Sequence, residues 1–419
     1  MYERTVLPNG VRIVTEFLPY VRSVTLGAWF DVGSRHEAPT EQGVAHFLEH
    51  MLFQSTAKYS AQDIAEIMDR SGSHFNAFTG RERTCFYFKV LDEYWPIASD
   101  VMQQMLLQPL FLPEEIAKER QVVLEELKMY EDDPEDQVQD LLPKALWPTS
   151  SLGNSILGTV QTVNSFDRAT TESFFRKHYT ADRLVIAAVG NIRHSQVVDD
   201  FASAFTELSA GPAVRAVEPP SAGTAQRVLC SKSTQQIHLC LGRTTFSRTD
   251  PRRHALRLLD TLVGGAASSI LFQELREKRG LVYNTYSFNA LYSDAGCCGI
   301  YAGFSPEQWN QVWDVIHNLF TELPSLITEE MLTRAQDQLR AGILLALEST
   351  ESRMMRLGRA ELNGAKSFDP ERLLRKIAEV KYSDLIALAE EVFMLDNWSS
   401  IALGPKELLE GDVKCQKIC

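Results

Sequence analysis

Alternating apolar and polar positions predict several short strands at the start of the chain. Two such stretches, Tyr2–Leu7 and Val11–Phe17, flank Pro8-Asn9-Gly10, and Asn-Gly favours the left-handed backbone of a tight turn. The alternation returns over Ser23–Val32. We therefore expect the chain to open with a hairpin followed by a third strand.

Helical periodicity first occurs from about Glu41 to Phe53, behind Thr40 as the expected N-cap. Further helices are predicted at 60–71, 93–107, 113–130 and 169–177, and further strands at 75–78, 84–91 and 184–189. Because strands and helices are mixed without strict alternation, the pattern favours an α+β fold with largely antiparallel pairing.

The second half of the chain resembles the first. The strand Val24–Trp29 has a counterpart in Ile237–Gly242, and Leu184–Gly190 has one in Ser399–Gly404, at offsets of 213 and 214 residues. A chance likeness of short apolar strands before glycine is the alternative. Since 419 residues exceed what one hydrophobic core supports, we predict two homologous domains. They cover 1–208 and 226–419, and a linker rich in Pro, Gly, Ser and Ala joins them at 209–225.

Composition excludes some classes of function. The chain has 42 Lys and Arg against 55 Asp and Glu, a formal net charge of -13, which argues against a protein that binds by neutralising nucleic-acid phosphates. No apolar run reaches the roughly 18 residues of a membrane-spanning helix. The N-terminus has the features of neither a secretory signal nor a transit peptide. We therefore expect a cytoplasmic protein that binds neither nucleic acid nor a membrane.

The first predicted helix carries the motif His-x-x-Glu-His. His46 and His50 are four residues apart and therefore lie on one face of the helix, where two imidazoles can bind one tetrahedral Zn²⁺. Glu49 reaches the same face and suits a general base that acts on a zinc-bound water. A helix that merely contains two histidines is the alternative, but its other residues are mostly apolar and predict a buried helix. A third zinc ligand must come from another segment.

Two glutamates on the helix after Pro113 are candidates for that segment. Glu119 and Glu126 are seven residues apart and share a face. Taken alone, such a pair is usually a solvated helix face.

The chain resembles the pitrilysin family of zinc metallopeptidases over nearly its whole length, and in particular its two-domain bacterial members and the catalytic subunit of the mitochondrial processing peptidase. In that family a glutamate about 76 positions after the second histidine completes the zinc site, which here implies Glu126, with Glu125 as the alternative. The family's additional glutamate falls on Glu119 and implies a supporting role. The segment Asn76, Ala77, Phe78 resembles the family's edge strand, to which substrate adds as an extended strand.

In the second half the resemblance implies that Arg276 and Tyr283 hold the substrate backbone and stabilise the tetrahedral intermediate. Gly264-Gly265 precedes this segment, but the chain lacks the G-x-x-x-x-G-K-[ST] sequence of a phosphate loop. From the residues alone, Arg276 would be a solvated charge and Tyr283 a core aromatic. The second half has no His-x-x-Glu-His motif, so we expect one zinc ion per chain.

The expected function is zinc-dependent hydrolysis of peptides, with Glu49 taking a proton from water and returning it to the leaving amine. Because larger members of the family enclose a chamber with four such domains, the resemblance implies a homodimer of this two-domain chain, each zinc site facing the partner subunit's substrate-binding pair. A non-catalytic scaffold subunit on the same fold, or a dedicated presequence-processing peptidase, are the alternatives.

Overall fold

The computed structural model describes residues 2–206, 208–211, 218–365 and 369–405. Its strands are β1 Tyr2–Val6, β2 Arg12–Phe17, β3 Ser23–Phe30, β4 His74–Thr79, β5 Thr84–Leu91, β6 Leu184–Gly190, β7 Arg227–Ser231, β8 Ile237–Thr245, β9 Asn284–Leu291, β10 Gly296–Phe304 and β11 Ser399–Gly404. Its α-helices are α1 Val44–Leu52, α2 Ala61–Ser71, α3 Trp95–Leu107, α4 Pro113–Asp132, α5 Pro134–Leu146, α6 Val160–Ser165, α7 Arg168–His178, α8 His194–Phe205, α9 Arg253–Val263, α10 Trp309–Leu326, α11 Glu329–Ala346, α12 Thr350–Leu362, α13 Pro370–Ala378 and α14 Tyr382–Val392.

The first compact unit is built on a six-stranded sheet in the order β1-β2-β6-β3-β5-β4. All neighbouring strands pair antiparallel except β2 and β6, which are parallel. One face of the sheet forms the main hydrophobic core together with α1, α3, α7 and α8, and this core contains Phe47, Phe86 and Trp95. The apolar residues of α1, which carries the His-x-x-Glu-His motif, are buried in this core, and their packing fixes the position of the helix.

Helix α12 covers the opposite face of the same sheet, although it comes from the second half of the sequence. The contact is close because two glycines let the helix approach the strand. A Cβ atom on Gly27 of β3 would lie 2.2 Å from Met354 Sδ, and one on Gly358 of α12 would lie 2.2 Å from Trp29 Nε1. At the edge of this contact the carboxylate of Glu361 accepts two hydrogen bonds from Arg4, at 2.9 and 3.0 Å.

The second compact unit has a five-stranded sheet in the order β7-β11-β8-β10-β9, with β7 and β11 parallel and the other pairs antiparallel. Helix α5, from the first half of the sequence, packs on one face of this sheet with Leu142 and Trp147 in the apolar core. Helices α9, α10 and α14 pack with one another and belong to the same unit.

The two sheets confirm the predicted duplication. Without β1, the first sheet reads β2-β6-β3-β5-β4, and each strand has a counterpart at the same place in the second sheet, including the single parallel pair. The α+β class and the largely antiparallel pairing are likewise as predicted. No helix within the described ranges is long and apolar enough to span a membrane.

The compact units depart from the predicted domains 1–208 and 226–419 in one respect. The first unit takes in residues 344–369, and the second takes in 128–153, so each unit is completed by a helix from the other half of the sequence. The cause is physical: a sheet with two apolar faces must be covered on both. The predicted linker at 209–225 lies partly outside the described residues, since 212–217 are not among them.

Candidate metal centre

Helix α1 begins at Val44, three residues later than predicted, and its N-cap is Gly43 instead of the expected Thr40. The preceding residue, Gly43, has a φ of 91°, a left-handed conformation that favours glycine. The buried carboxylate of Glu37 accepts hydrogen bonds from the backbone N–H groups of Gly43 and Ala45, both at 2.9 Å. Glu37 thereby satisfies two amides that the first turn of a helix leaves unpaired.

Three side chains from two helices converge beside this helix start. His46 and His50 lie one turn apart on α1, with ring centroids 4.7 Å apart. Glu126 Oε2, from α4, lies 3.7 Å from His46 Nε2 and 3.5 Å from His50 Nε2. The alternative glutamate, Glu125, is exposed.

A second carboxylate holds one of the histidines. Glu119 is only 6% exposed, and its Oε2 atom lies 3.3 Å from His50 Nδ1. Its other oxygen accepts a hydrogen bond of 3.1 Å from the amide of Gln54. Because Nδ1 of His50 is engaged by Glu119, its Nε2 atom is turned toward Glu126. A carboxylate behind a metal-binding histidine commonly fixes the ring in this way.

The three facing atoms fit one tetrahedral metal ion. Ligands bound at about 2.0–2.1 Å in tetrahedral geometry lie roughly 3.3 Å from each other. The measured Nε2–Oε2 separations of 3.5 and 3.7 Å are close to this value, and the ligand atoms of all three residues lie within 4.8 Å of one another. Two imidazole nitrogens with one carboxylate oxygen are a donor set that zinc prefers, and they leave a fourth position open for water or substrate.

The titration of the two histidines reflects their surroundings. Burial, together with the neighbouring His50, lowers the pKa of His46 to about 4. Burial also acts to lower the pKa of His50, but its hydrogen bonds to Glu119 and Glu126 overcome this and raise the pKa to about 9. The hydrogen bond from His50 is the main reason that the pKa of Glu126 is lowered. A metal ion that binds these side chains must therefore displace a proton from His50.

Glu49 lies on the same helix face, between the two histidines in sequence. Its carboxylate accepts a hydrogen bond of 2.5 Å from the hydroxyl of Thr79 at the end of β4. Burial raises the pKa of Glu49, while the Thr79 hydrogen bond acts in the opposite direction. A carboxylate with a raised pKa is a stronger base once ionised, which suits proton transfer near neutral pH.

The predicted substrate-binding segment lies on the strand that ends at Thr79. Asn76, Ala77 and Phe78 belong to β4, which is the last strand of the first sheet and, among the described strands, pairs with β5 alone. The ring of Phe78 packs edge-on against Trp29 at 5.5 Å, while Asn76 is exposed. The hydrogen bond from Thr79 to Glu49 places this edge strand beside the His-x-x-Glu-His helix.

The other predicted pair, Arg276 and Tyr283, belongs to the second compact unit. The guanidinium carbon of Arg276 lies 5.5 Å from the centre of the Tyr283 ring and 4.9 Å from that of Phe272. Tyr283 is 75% exposed and is therefore not a core aromatic. Both side chains thus come together on one surface of that unit, at the distance of a cation–π contact.

Sequence reasoning missed three residues that shape this site: Glu37, Gln54 and Thr79. None of them belongs to the motif, and each acts through a contact with a residue distant in sequence or with the backbone. One available signal was Gly43 directly before the apolar run of α1, since glycine often marks a left-handed position where a helix cannot yet have begun. The partners of Gln54 and Thr79 depend on tertiary packing, which a single sequence does not reveal.

Comparison with protein families identifies the family to which the chain is similar. The family described as "Insulinase (Peptidase family M16)" matches residues 12–160, and "Peptidase M16 inactive domain" matches residues 165–339. An uncharacterized zinc protease of Streptomyces coelicolor is 42% identical over 400 residues, covering 93% of this chain and 86% of that protein. An uncharacterized zinc protease of Bacillus subtilis is 40% identical over 397 residues, covering 94% and 97%.

Solved structures show the same fold at lower identity. The structure described as a peptidase M16 inactive domain from Pseudomonas fluorescens superimposes with a TM-score of 0.90 at 21% identity and covers 99% of each chain. A protease from Helicobacter pylori gives a TM-score of 0.87, also at 21% identity, covering 97% of this chain and 99% of its own. Together with the family matches and the 40% identical relatives, these likenesses show that the chain belongs to peptidase family M16, the pitrilysin family.

Proposed function

We propose that this protein is a zinc-dependent endopeptidase whose metal ligands are His46, His50 and Glu126. The observation that carries the proposal is the convergence of their three ligand atoms within 4.8 Å, with the carboxylate of Glu49 on the same helix face. The relatives named as zinc proteases add support, since they are similar over almost the whole chain.

Glu49 acts as the general base. Zinc, when bound, supplies a Lewis acid that polarises the scissile carbonyl and lowers the pKa of its water toward about 7. Glu49 accepts a proton from the attacking water and later gives it to the leaving amine. Thr79 keeps the Glu49 carboxylate in place through its short hydrogen bond, and Glu119 keeps His50 oriented.

The substrate is a peptide in an extended conformation. Among the described residues, no strand pairs along the outer edge of β4, so a peptide can add there as a further strand beside Asn76, Ala77 and Phe78. The backbone N–H of Ala77 donates to the side chain of Asn76 at 2.8 Å, a hydrogen bond that an added peptide would replace. Arg276 and Tyr283 bind the substrate backbone and stabilise negative charge on the tetrahedral intermediate. The exposure of Tyr283 and its contact with Arg276 support a role at a surface that meets a ligand.

The working assembly is a homodimer with one zinc ion per chain. The chain resembles larger family members in which four domains enclose a chamber. Because this chain supplies two domains, two copies are needed for such a chamber. In the dimer each zinc site faces the Arg276 and Tyr283 side chains of the other copy. The net charge of -13 favours basic peptides as substrates.

One single variant and one matched pair of variants test the site. Glu49→Gln should keep zinc and lose peptide hydrolysis by a factor of about 10² to 10⁴. Glu126→Gln should lose zinc, whereas Glu125→Gln on the exposed side of the same helix should keep both zinc and activity. Zinc content is measured by elemental analysis and cleavage by mass spectrometry of a digested peptide library, with and without a chelator. Turnover of Glu49→Gln at the wild-type rate would contradict the assignment of the base.

Mixing inactive variants tests the dimer. Glu49→Gln chains are combined with chains that carry Arg276→Ala and Tyr283→Phe, so that a mixed dimer has one complete site. We expect activity to return on mixing. If none returns although the chains are shown to exchange, each site is completed within its own chain.

A further inference from the structure

The two homologous sheets can be compared residue by residue. The offset of 213 residues that relates Val24 to Ile237 also relates Gly27 of β3 to Cys240 of β8. Directly opposed residues then form equivalent rows, namely Gly27, Tyr87 and Asn76 in the first sheet and Cys240, Tyr301 and Tyr286 in the second. Three positions further along the edge strands, Thr79 of β4 is therefore equivalent to Asn289 of β9.

The equivalent edge residues hold equivalent carboxylates. Thr79 donates a hydrogen bond to Glu49 on α1. In the second unit the amide of Asn289 donates a hydrogen bond of 2.9 Å to Oδ2 of Asp260 on α9. Asp260 thus stands where Glu49 stands in the first unit, although it lies in the half of the chain that lacks the zinc motif.

The residues at the spacing of the two histidines complete the comparison. Three positions before Asp260 is Arg257, and one position after it is Thr261, so the second unit carries Arg-x-x-Asp-Thr in place of His-x-x-Glu-His. Neither a guanidinium nor a threonine hydroxyl is a usual zinc ligand. Helix α9 therefore lacks the two histidines of the zinc motif, but like α1 it has a carboxylate that is hydrogen-bonded to the edge strand.

The carboxylate of Asp260 is held by two residues of β9. The hydroxyl of Ser287 lies 2.6 Å from Oδ1 of Asp260, so both carboxylate oxygens accept hydrogen bonds from β9. Just after α9, a Cβ atom on Gly264 would lie 2.1 Å from the backbone N of Ser287. The end of α9 and the middle of β9 are therefore in direct contact, through the side chain of Asp260 and through backbone packing.

This contact joins the two ends of a long segment of the chain, residues 264–287. The segment begins directly after α9 and ends in β9 at Ser287, which contacts the end of α9; it contains both Arg276 and Tyr283. Inside this segment, the amide of Gln273 donates to the carbonyl of Ala267 at 2.8 Å. Because Tyr283 directly precedes β9, the position of β9 on α9 sets where Tyr283 emerges.

We propose that Asp260 is a positioning residue for the Arg276 and Tyr283 pair. The inference rests on the proposed function, in which that pair binds the substrate backbone. Asp260 itself touches no substrate; it ties the two ends of segment 264–287 together through Ser287 and Asn289. A loss of this tie displaces the pair while leaving the zinc site of the first unit intact.

The test is a double-mutant cycle on peptide hydrolysis. Asp260→Asn and the milder Ser287→Ala are each made alone and in a Tyr283→Phe background, with the exposed Asp314→Asn of the same unit as the matched control. We expect Asp260→Asn to lower kcat/KM by about tenfold to a hundredfold, as a small misplacement of a binding group does. In the Tyr283→Phe background the further loss should be smaller than in the wild type, because the contribution of the Tyr283 hydroxyl is already absent and only that of Arg276 remains to be lost.

The outcomes distinguish a failure of the proposed substrate-binding role of Arg276 and Tyr283 from a failure of the positioning role of Asp260. Zinc content and the unfolding midpoint are measured for every variant, and if Asp260→Asn does not fold, Ser287→Ala carries the test because it keeps the carboxylate and the Asn289 bond. If Tyr283→Phe alone leaves kcat/KM unchanged, the proposed role of the pair fails. If Tyr283→Phe lowers kcat/KM but folded Asp260 and Ser287 variants do not, or if the losses multiply in the double variant, the positioning role of Asp260 is overturned.

Discussion

In the proposed mechanism, the hydrogen bond from Thr79 to Glu49 sets the pH at which Glu49 becomes active as the base. Thr79→Val replaces the hydroxyl by a methyl group of nearly the same shape, so the change removes the hydrogen bond while filling the same volume. Burial already raises the pKa of Glu49, and the Thr79 hydroxyl acts against this rise. Without the hydroxyl the pKa of Glu49 must therefore rise further.

The size of the effect follows from the bond that is lost. A hydrogen bond to a charged group contributes about 1.5–3 kcal/mol, and 1.36 kcal/mol corresponds to one pKa unit. Because Glu49 is partly exposed, we take the lower end of this range, about 1.5 kcal/mol, for the lost hydrogen bond. Glu49 works as a base only when ionised, so the acid limb of the profile of kcat/KM against pH should move upward by about one pH unit.

The assay is the pH dependence of kcat/KM on one peptide, with zinc content measured at each pH. Above the acid limb, Thr79→Val should be nearly as active as the wild type, because ionised Glu49 is then fully populated. Thr25→Val is the matched control. Thr25 is buried in the same sheet, but its hydroxyl is hydrogen-bonded to that of Thr350 at 2.9 Å and not to Glu49. An acid limb that stays in place for Thr79→Val, or that moves equally for Thr25→Val, would refute the reasoning.

Three further predictions follow from the site and the packing. Glu119→Gln should weaken zinc binding by about 10- to 100-fold, measured by competition with a chelator, because His50 loses its orienting carboxylate. Since the pKa of His50 is raised to about 9, zinc affinity should increase about tenfold per pH unit from pH 6.5 toward 9 and level off above it; a flat profile would show that no proton is displaced. Gly358→Ala should destabilise the protein by about 1–3 kcal/mol in denaturant unfolding, because the new methyl group overlaps Trp29. Its control, Gly342→Ala in α11, has open space and should stabilise by up to about 1 kcal/mol; equal effects of both would contradict the packing argument.

Local signals in the sequence predicted most of the first sheet and several helices. The opening hairpin and β3 are confirmed, and the helix predicted from residue 60 begins with a capping box, in which the Ser60 hydroxyl accepts from the backbone of Asp63. The long helix begins at Pro113 as predicted and runs two residues beyond Tyr130. These features depend on neighbours in the chain, and a single sequence contains that information.

The candidate site was predictable to the extent that it follows helix geometry. The spacing of His46 and His50 places both on one face whatever the rest of the fold does. The convergence of Glu126 on that face required the family resemblance, because nothing on α4 itself distinguishes it from the other glutamates. The cap formed by Glu37 and the bond from Thr79 join distant segments, and only the packed structure reveals them.

Helices α5 and α12 each belong to the compact unit of the other half of the sequence. They show why a division of the chain at the predicted linker does not give the two units. Periodicity indicates that a helix has an apolar face, but it does not say which sheet that face covers. The sheet of the first unit presents Trp29 and Val185 on the face opposite the main core, and α12 from the far half of the sequence covers them. Exposing this face would cost several kcal/mol in lost burial of these two side chains alone. The sheet that supports the proposed zinc site therefore depends on residues 344–369, so the first half of the sequence does not contain the whole of this compact unit.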